Sequence, residues 1–343
     1  MTNEPPKISY LLMRFYICAL FFCLLNAAAR AEILLPDPTI FFENGTYYLT
    51  GTGAHMKSGR AFPLYKSKDL VSWQQAGHLL DIRSGFGECD FWAPQIFKNK
   101  DGTYELLFCA KGKPDFSEKV GRFVACAKSD KIDFKNARAL KTDVFYEIDP
   151  FLFIDDDSQL YLYYTRGPIY GVKINSKFER ISEDKKLLGV TLDWERKPLP
   201  DEFKALNEKI DPGKPWDRFH HSRGTSEGPT LIKRGGKYVL FYSANDFRSP
   251  DYCVGVAVAD SPLGDFKKIQ DGPVISREIV GFNGSGHGDI FFDKNGAMWY
   301  VFHTHNSNIR IHPRRTAIVK LIETFGEDGY PRYKADASSL RLL

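Results

Sequence analysis

The chain has 343 residues, 43% of them hydrophobic and 14% aromatic, with 47 Lys+Arg against 43 Asp+Glu and a formal charge of +4. That length can bury a sizeable core, and the richness in rings excludes a disordered chain, which would be highly charged and poor in aromatics. The small positive excess forms no block, so nothing points to a nucleic-acid partner; the aromatics suit strands and the flat faces of sugars.

At the N-terminus, Lys7 and Arg14 precede an apolar run from Phe15 to Ala29, and Ala29-Arg30-Ala31 puts small residues around a cleavage point before Glu32. This is the layout of a secretory signal peptide. Residues 1–31 are expected to be removed, leaving 32–343 as a single exported domain, periplasmic or extracellular. The run is shorter than the roughly 20 residues of a membrane span, and the mature chain is expected to have none. Cys89, Cys109, Cys126 and Cys253 then remain, with no CxxC spacing, and do not form a disulfide scaffold. Cys109 and Cys126 sit in apolar, strand-like runs and are expected as buried thiols.

From position 37 onward one pattern recurs five times: a small or polar segment, often with Pro, an apolar strand, a turn and a Tyr/Phe-rich strand. The copies begin Asp37-Pro38-Thr39-Ile40, Ala93-Pro94-Gln95-Ile96, Asp149-Pro150-Phe151-Leu152, Gly228-Pro229-Thr230-Leu231 and His287-Gly288-Asp289-Ile290. Their turns are Asn44-Gly45, Asp101-Gly102, Asp155-Asp156-Asp157, Gly235-Gly236 and Asn295-Gly296. Asn-Gly, Asp-Gly and Gly-Gly suit tight hairpins. Further strands follow each hairpin, such as Phe123 to Ala127 and Val254 to Ala259. Units of this length with about four strands each predict an all-β, five-bladed β-propeller. The longest interval, between the third and fourth copies, holds an insertion from about Ser182 to Gly224 with Trp194, Trp216, His220 and His221, expected as loop or short helix.

In a propeller the innermost strands line the axis, so the segments before the recurring Pro converge on one end of the channel. Asp37, Asp149 and Glu227 stand immediately before that Pro or Gly-Pro; the second copy has Trp92 at this level and the fifth His287. Three acids facing one pocket repel each other, which is how carboxyl groups acquire separated pKa values and distinct acid and base roles. Asp155, Asp156 and Asp157 lie in a turn and are expected to be solvated.

Asp37-Pro38, Trp92-Ala93-Pro94, Ile148-Asp149-Pro150, Ser226-Glu227-Gly228-Pro229 and Gly286-His287-Gly288, in this order and at blade spacing, resemble family 43 glycoside hydrolases, as does Ser67-Lys68-Asp69-Leu70 followed by Trp73. The resemblance covers essentially the whole of residues 32–343. It implies an inverting hydrolase of oligo- or polysaccharides in which Asp37 is the general base, Glu227 the general acid and Asp149 the acid that raises the pKa of Glu227. It further implies that Trp92 lines the sugar pocket, that an arginine near the last strand binds sugar hydroxyls, and that His287 helps hold a structural calcium, with no cofactor required for the chemistry. Of Arg314 and Arg315, Arg315 is the expected sugar ligand, sharing a strand face with Ala317 and Val319. Gln95 and Phe151 depart from the family's usual residues, and His303 and His305 are expected to bind hydroxyls at the pocket or its rim. β-D-xylosidase and α-L-arabinofuranosidase are the activities implied first; endo-arabinanase and galactan-directed action remain open. The alternatives from other classes are a non-catalytic sugar-binding propeller, which the presence of all three acids disfavours, and a glycoside phosphorylase or fructan hydrolase, the former recognisable by phosphate-dependent turnover.

Overall fold

The computed structural model describes residues 32–210 and 224–343; the expected signal peptide, and Trp216, His220 and His221 of the insertion, lie outside the described residues. Residues Ile33–Leu343 form one compact unit. Its strands group into five antiparallel sheets. The first holds β1 (Thr39–Glu43), β2 (Thr46–Thr50), β3 (Ala54–His55), β4 (Arg60–Ser67) and β5 (Gln74–Asp81). The second holds β6 (Cys89–Lys98), β7 (Tyr104–Gly112), β8 (Gly121–Ser129) and β9 (Arg138–Ala139), and the third β10 (Ile148–Ile154), β11 (Leu160–Thr165), β12 (Ile169–Ile174) and β13 (Lys185–Leu188). The fourth holds β14 (Ser226–Arg234), β15 (Lys237–Ala244) and β16 (Cys253–Ala259), and the fifth β17 (Gly286–Phe292), β18 (Met298–Thr304), β19 (Arg315–Phe325) and β20 (Pro331–Leu342). Helix α1 (Asp201–Ile210) lies in the insertion and α2 (Arg277–Val280) follows the fourth sheet.

The first strands of the sheets, β1, β6, β10, β14 and β17, touch one another in that order and β17 returns to β1. The ring is therefore closed, and the architecture is the five-bladed propeller expected. The first blade has five strands and the fourth only three; among the described residues, the isolated bridges Val254↔Ile275 and Val258↔Lys267 meet the outer edge of the fourth. Pro262, Gly264, Gly272 and Pro273 interrupt that segment, and neither residue sustains a strand interior.

Blade packing explains why the apolar runs are continuous rather than alternating. Each blade is sandwiched between two others, so both faces of a strand are buried. In β7, Leu106, Phe108 and Ala110 enter the cluster shared with the first blade, while Leu107 enters the cluster shared with the third. In β18, Tyr300 and Phe302 pack toward the fourth blade while Trp299 and Val301 pack toward the first. Five such clusters correspond to the five interfaces of the ring.

Closure is made by both ends of the unit. The Ile33 amide donates to the Leu343 carbonyl at 2.7 Å, the Thr316 amide to the Ile33 carbonyl at 3.0 Å and the Leu343 amide to the Thr316 carbonyl at 3.0 Å. Ile33 and Leu35 add apolar burial beside Val301 and Ile318. Cys109, Cys126 and Cys253 are buried free thiols; Cys89 is exposed.

Candidate active site

Five equivalent residues, Asp37, Ala93, Asp149, Gly228 and His287, open the innermost strands, and all have φ between 45° and 59°. Left-handed backbone is rare for non-glycine residues and persists where the surroundings over-determine it. The ladders slip at this level in β6, β10, β14 and β17, between Trp92 and Gln95, Ile148 and Phe151, Glu227 and Thr230, and Gly286 and Gly288. Such bulges re-aim side chains, and here they turn them toward the axis. The five residues and the two that follow each of them line a narrow axial channel.

This alignment corrects one reading of the sequence. Glu227 is not level with Asp37 and Asp149. Gly228 occupies that position, and Glu227 stands one residue earlier, level with Trp92. Only glycine suits position 228, because a Cβ there would come within 2.8 Å of the His287 ring.

A cavity of about 450 Å³ shares Asp37, Asp149 and His287 with the channel and is further walled by Thr52, Trp92, Arg122, Tyr146, Glu227, Asp246, Phe247, Arg248 and Arg314. Its size suits a small ligand. All three expected carboxyl groups thus meet in one space.

Their electrostatic environments differ. Asp37 Oδ2 accepts a 2.6 Å hydrogen bond from the Thr52 hydroxyl, which itself accepts from the Ala93 amide at 2.8 Å. Asp37 Oδ1 accepts from Arg314 Nη1 at 3.1 Å and lies 3.4 Å from His287 Nδ1. Burial opposes ionisation of Asp37, but Arg314, His287 and Thr52 together outweigh it and hold the carboxyl below its ordinary value. Among the described residues no cation forms an ion pair with Asp149. Burial, then the charges of Glu227 and Asp37, push its carboxyl well up, against a hydrogen bond from the Gly228 amide at 3.2 Å. Glu227 is pushed up to about 7, by burial first and then by Asp246 and Asp37, with the Tyr252 hydroxyl bond and Arg314 pulling the other way. The buried pair Asp149 and Glu227 therefore shares protons as a unit, while Asp37 is ionised.

Trp92 is on the cavity wall with the Arg122 guanidinium 4.4 Å from its ring centroid; that guanidinium is tied to Asp90 at 2.6 Å and also faces Tyr146. The arginine expectation is corrected: Arg314 lines the cavity, its guanidinium 4.8 Å from the Phe247 ring centroid, whereas Arg315, already in register in β19 opposite Thr304, is turned to Phe282 and is outside the cavity lining. Arg314 stands just before β19, where its direction is set by the preceding loop and not by strand alternation. His303 is also corrected, from a hydroxyl-binding position to one behind the base: it is fully buried, and its ring nitrogens meet the Asp37 amide and Arg314 Nη1, each at 3.1 Å. His305 is buried against Phe203 of α1. Gln95 and Phe151 line the axial channel rather than the cavity, and Gln95 Oε1 accepts from the Leu152 amide at 2.8 Å. Asp155 is not solvated; it receives Lys233 Nζ at 2.8 Å and the Tyr238 hydroxyl at 2.6 Å from the next blade.

The residues around His287 do not fit calcium. That ion takes six to eight oxygens, whereas the ring nitrogen faces an Asp37 oxygen already held by the Arg314 cation, and no group of three or more His, Cys, Asp or Glu suited to a metal occurs among the described residues. Thr52, Tyr252 and Asp246 are site residues that sequence reasoning missed. Asp246 is clamped by Arg248, whose Nε donates to Asp246 Oδ1 at 2.7 Å.

Fold and cavity together define a propeller with three buried carboxyl groups, Asp37, Asp149 and Glu227, meeting at one end of its axis. Residues 31–331 match the sequence profile of the glycosyl hydrolases family 43, and the chain belongs to that family; it is a glycoside hydrolase. It is similar to a xylosidase/arabinosidase of Butyrivibrio fibrisolvens, 26% identical over 275 residues, covering 78% of this chain and 48% of the relative. It is also similar to a xylan 1,3-beta-xylosidase of a Vibrio species, 24% identical, covering 78% and 47% of the two chains. The chain thus spans about half the length of these curated relatives. Among solved structures, a thermostable family-43 glycoside hydrolase is 28% identical with a TM-score of 0.71, covering 88% of this chain and 92% of that one. No described helix is long and apolar enough to cross a membrane.

Proposed function

We propose that this protein is an exported, inverting glycosidase that releases xylose or arabinose from plant cell-wall pentosides. The observation that carries the mechanism is the unlike setting of two carboxyls that line one cavity: Asp37 lies 3.1 Å from the Arg314 cation, which favours its ionised form, whereas Glu227 is buried near Asp246 and Asp37, which favours its protonated form. The names of the relatives, xylosidase/arabinosidase and xylan 1,3-beta-xylosidase, support the pentose.

In this reading Asp37 accepts a proton from a water molecule as that water attacks the anomeric carbon. Glu227 gives its proton to the glycosidic oxygen as the bond from that oxygen to the anomeric carbon breaks. The products are a free sugar of inverted configuration, an alcohol, a protonated Asp37 and an ionised Glu227, and solvent restores both. Asp149 shares the protons of the buried pair with Glu227, and Trp92 supplies a ring face for the sugar.

The test is proton NMR of the first-formed anomer on xylo- and arabino-oligosaccharides, with Glu227→Gln alongside. Inverted product from one of these sugars, and a variant reduced by about 10²–10⁴ on it, is the expected result. Retained configuration, or undiminished turnover by Glu227→Gln, would refute the assignment.

A further inference from the structure

The acid needs more than a proton; the proton must sit on the oxygen that faces the leaving group. We propose that Tyr252 is the positioning residue for the Glu227 carboxyl, its hydroxyl committing Oε1 as an acceptor so that the transferable proton resides on Oε2. This rests on the reading of Glu227 as the general acid.

The geometry that supports it spans two blades. The Tyr252 hydroxyl lies 2.7 Å from Glu227 Oε1. The phenol is fully buried, just before β16, and burial followed by the charge of Glu227 pushes its pKa well above the ordinary value, so it stays a donor. Its ring stacks on His303, with centroids 5.6 Å apart and planes 16° apart. On another side Gly286 makes the room, since a Cβ there would come within 2.6 Å of the ring. A ring held in this way cannot swing its hydroxyl elsewhere. A tyrosine hydroxyl has one proton to donate, and a neutral carboxyl has one carbonyl oxygen and one hydroxyl oxygen. With Oε1 accepting, Oε2 carries the proton.

The same bond acts during the reaction. As Glu227 loses its proton to the leaving oxygen, the bond from Tyr252 becomes charge-assisted and strengthens. Other groups that set the ionisation of Glu227 are Asp37, Asp149, Asp246 and Arg314, with Tyr146 also on the cavity wall. None of these donates a described hydrogen bond to Glu227 Oε1.

The experiment compares wild type, Tyr252→Phe and a protein with 3-fluorotyrosine placed at position 252. Each is assayed from acid to alkaline pH on an aryl pentoside, whose leaving group needs little protonation, and on a disaccharide, which needs much. Tyr252→Phe keeps the stacked ring. It is expected to lose about 10- to 100-fold in kcat/KM on the disaccharide and little on the aryl substrate. Its alkaline limb should move up by about one pH unit, because the lost bond favoured the ionised carboxylate. The fluorinated residue, a stronger donor, should move that limb down. Equal losses on both substrates, or an alkaline limb that stays in place in both variants, would overturn the proposal; the fluorinated protein keeps it testable if the Phe variant does not fold. Glu227→Gln separates the two ideas. If that variant retains disaccharide turnover the general-acid reading fails, whereas if it is inactive and Tyr252→Phe matches wild type only the positioning role fails.

Discussion

Arg314→Met should narrow the pH range of activity from the acid side. The side chain keeps its length over the Phe247 ring but loses the charge 3.1 Å from Asp37 Oδ1. At that distance, with an effective dielectric of about 20, the lost attraction is about 5 kcal/mol. At about 1.4 kcal/mol per pH unit that corresponds to ~4 units. The Thr52 hydroxyl stays on Oδ2, His287 stays beside Oδ1, and water enters the vacated space, so the shift left for Asp37 is about 1–3 units. A base works only when ionised. The rate is therefore lost as pH falls through the Asp37 pKa, which lies below 3.8 in the native protein, and raising that pKa moves the acidic limb upward. The alkaline limb reports a group that must be protonated, Glu227 at about 7 in the native protein, and should also move upward but by less, because Arg314 favours the Glu227 carboxylate more weakly than it favours Asp37. The assay is kcat/KM against pH on an aryl pentoside, with Arg314→Lys as the control that keeps charge without the fork. An acidic limb that stays in place in Arg314→Met would refute the assignment of Asp37 as the base held by Arg314.

Gly228→Ala puts a Cβ within 2.8 Å of the His287 ring at a φ of +59°, so it should cost about 1–3 kcal/mol in stability, read as a lower denaturant midpoint, and reduce activity by displacing Glu227. Lys268→Met leaves the buried Glu195 carboxylate without the cation 2.6 Å away; although Tyr242 and the Thr191 and Leu192 amides still bind it, the loss should be about 3–5 kcal/mol, measured by urea unfolding. A maleimide should label Cys89 in the folded protein while Cys109, Cys126 and Cys253 stay unmodified until unfolding, as mass spectrometry of peptides would show.

The blades were legible because each repeats the same local chemistry: a hairpin turn, a Tyr/Phe-rich second strand and a Pro at the channel. Asp37, Asp149 and Trp92 were legible for the same reason. What escaped is what does not repeat. The Pro spacing sets Ala93 and Gly228 opposite Asp37, but the prominent side chains Trp92 and Glu227 suggest themselves for that level, which puts both one level too deep. Arg314 precedes its strand, and face alternation, which singled out Arg315, does not apply outside the strand. Thr52, His303 and Tyr252 act through contacts between blades or across long sequence separations, and no period in the sequence marks them. His303 did stand out as a polar residue in the apolar run Tyr300-Val301-Phe302, which was a usable sign of a buried partner.

The offset of Glu227 is also what separates the chemical roles. Asp37 and Asp149 open equivalent strands with nearly the same backbone, φ 50° and 54°, so the fold presents them alike. The neighbouring blades then make them different. The last blade brings Arg314 and His287 to Asp37, and the fourth brings Glu227 to Asp149. An ionised Asp37 thus faces a cation 3.1 Å away, and a protonated pair arises where two buried carboxyls lie close together with no described ion pair to either. Because Glu227 projects from the level of Trp92 rather than from the ring of five, it is the member of that pair carried away from the channel and onto the cavity wall beside Tyr252. Moving it back by one residue, by deleting Gly228, would place three acids at one level. The expected outcome is loss of disaccharide hydrolysis with a lower denaturant midpoint, because the Glu227 Cβ would then crowd the His287 ring, and retained hydrolysis would show that the offset is dispensable.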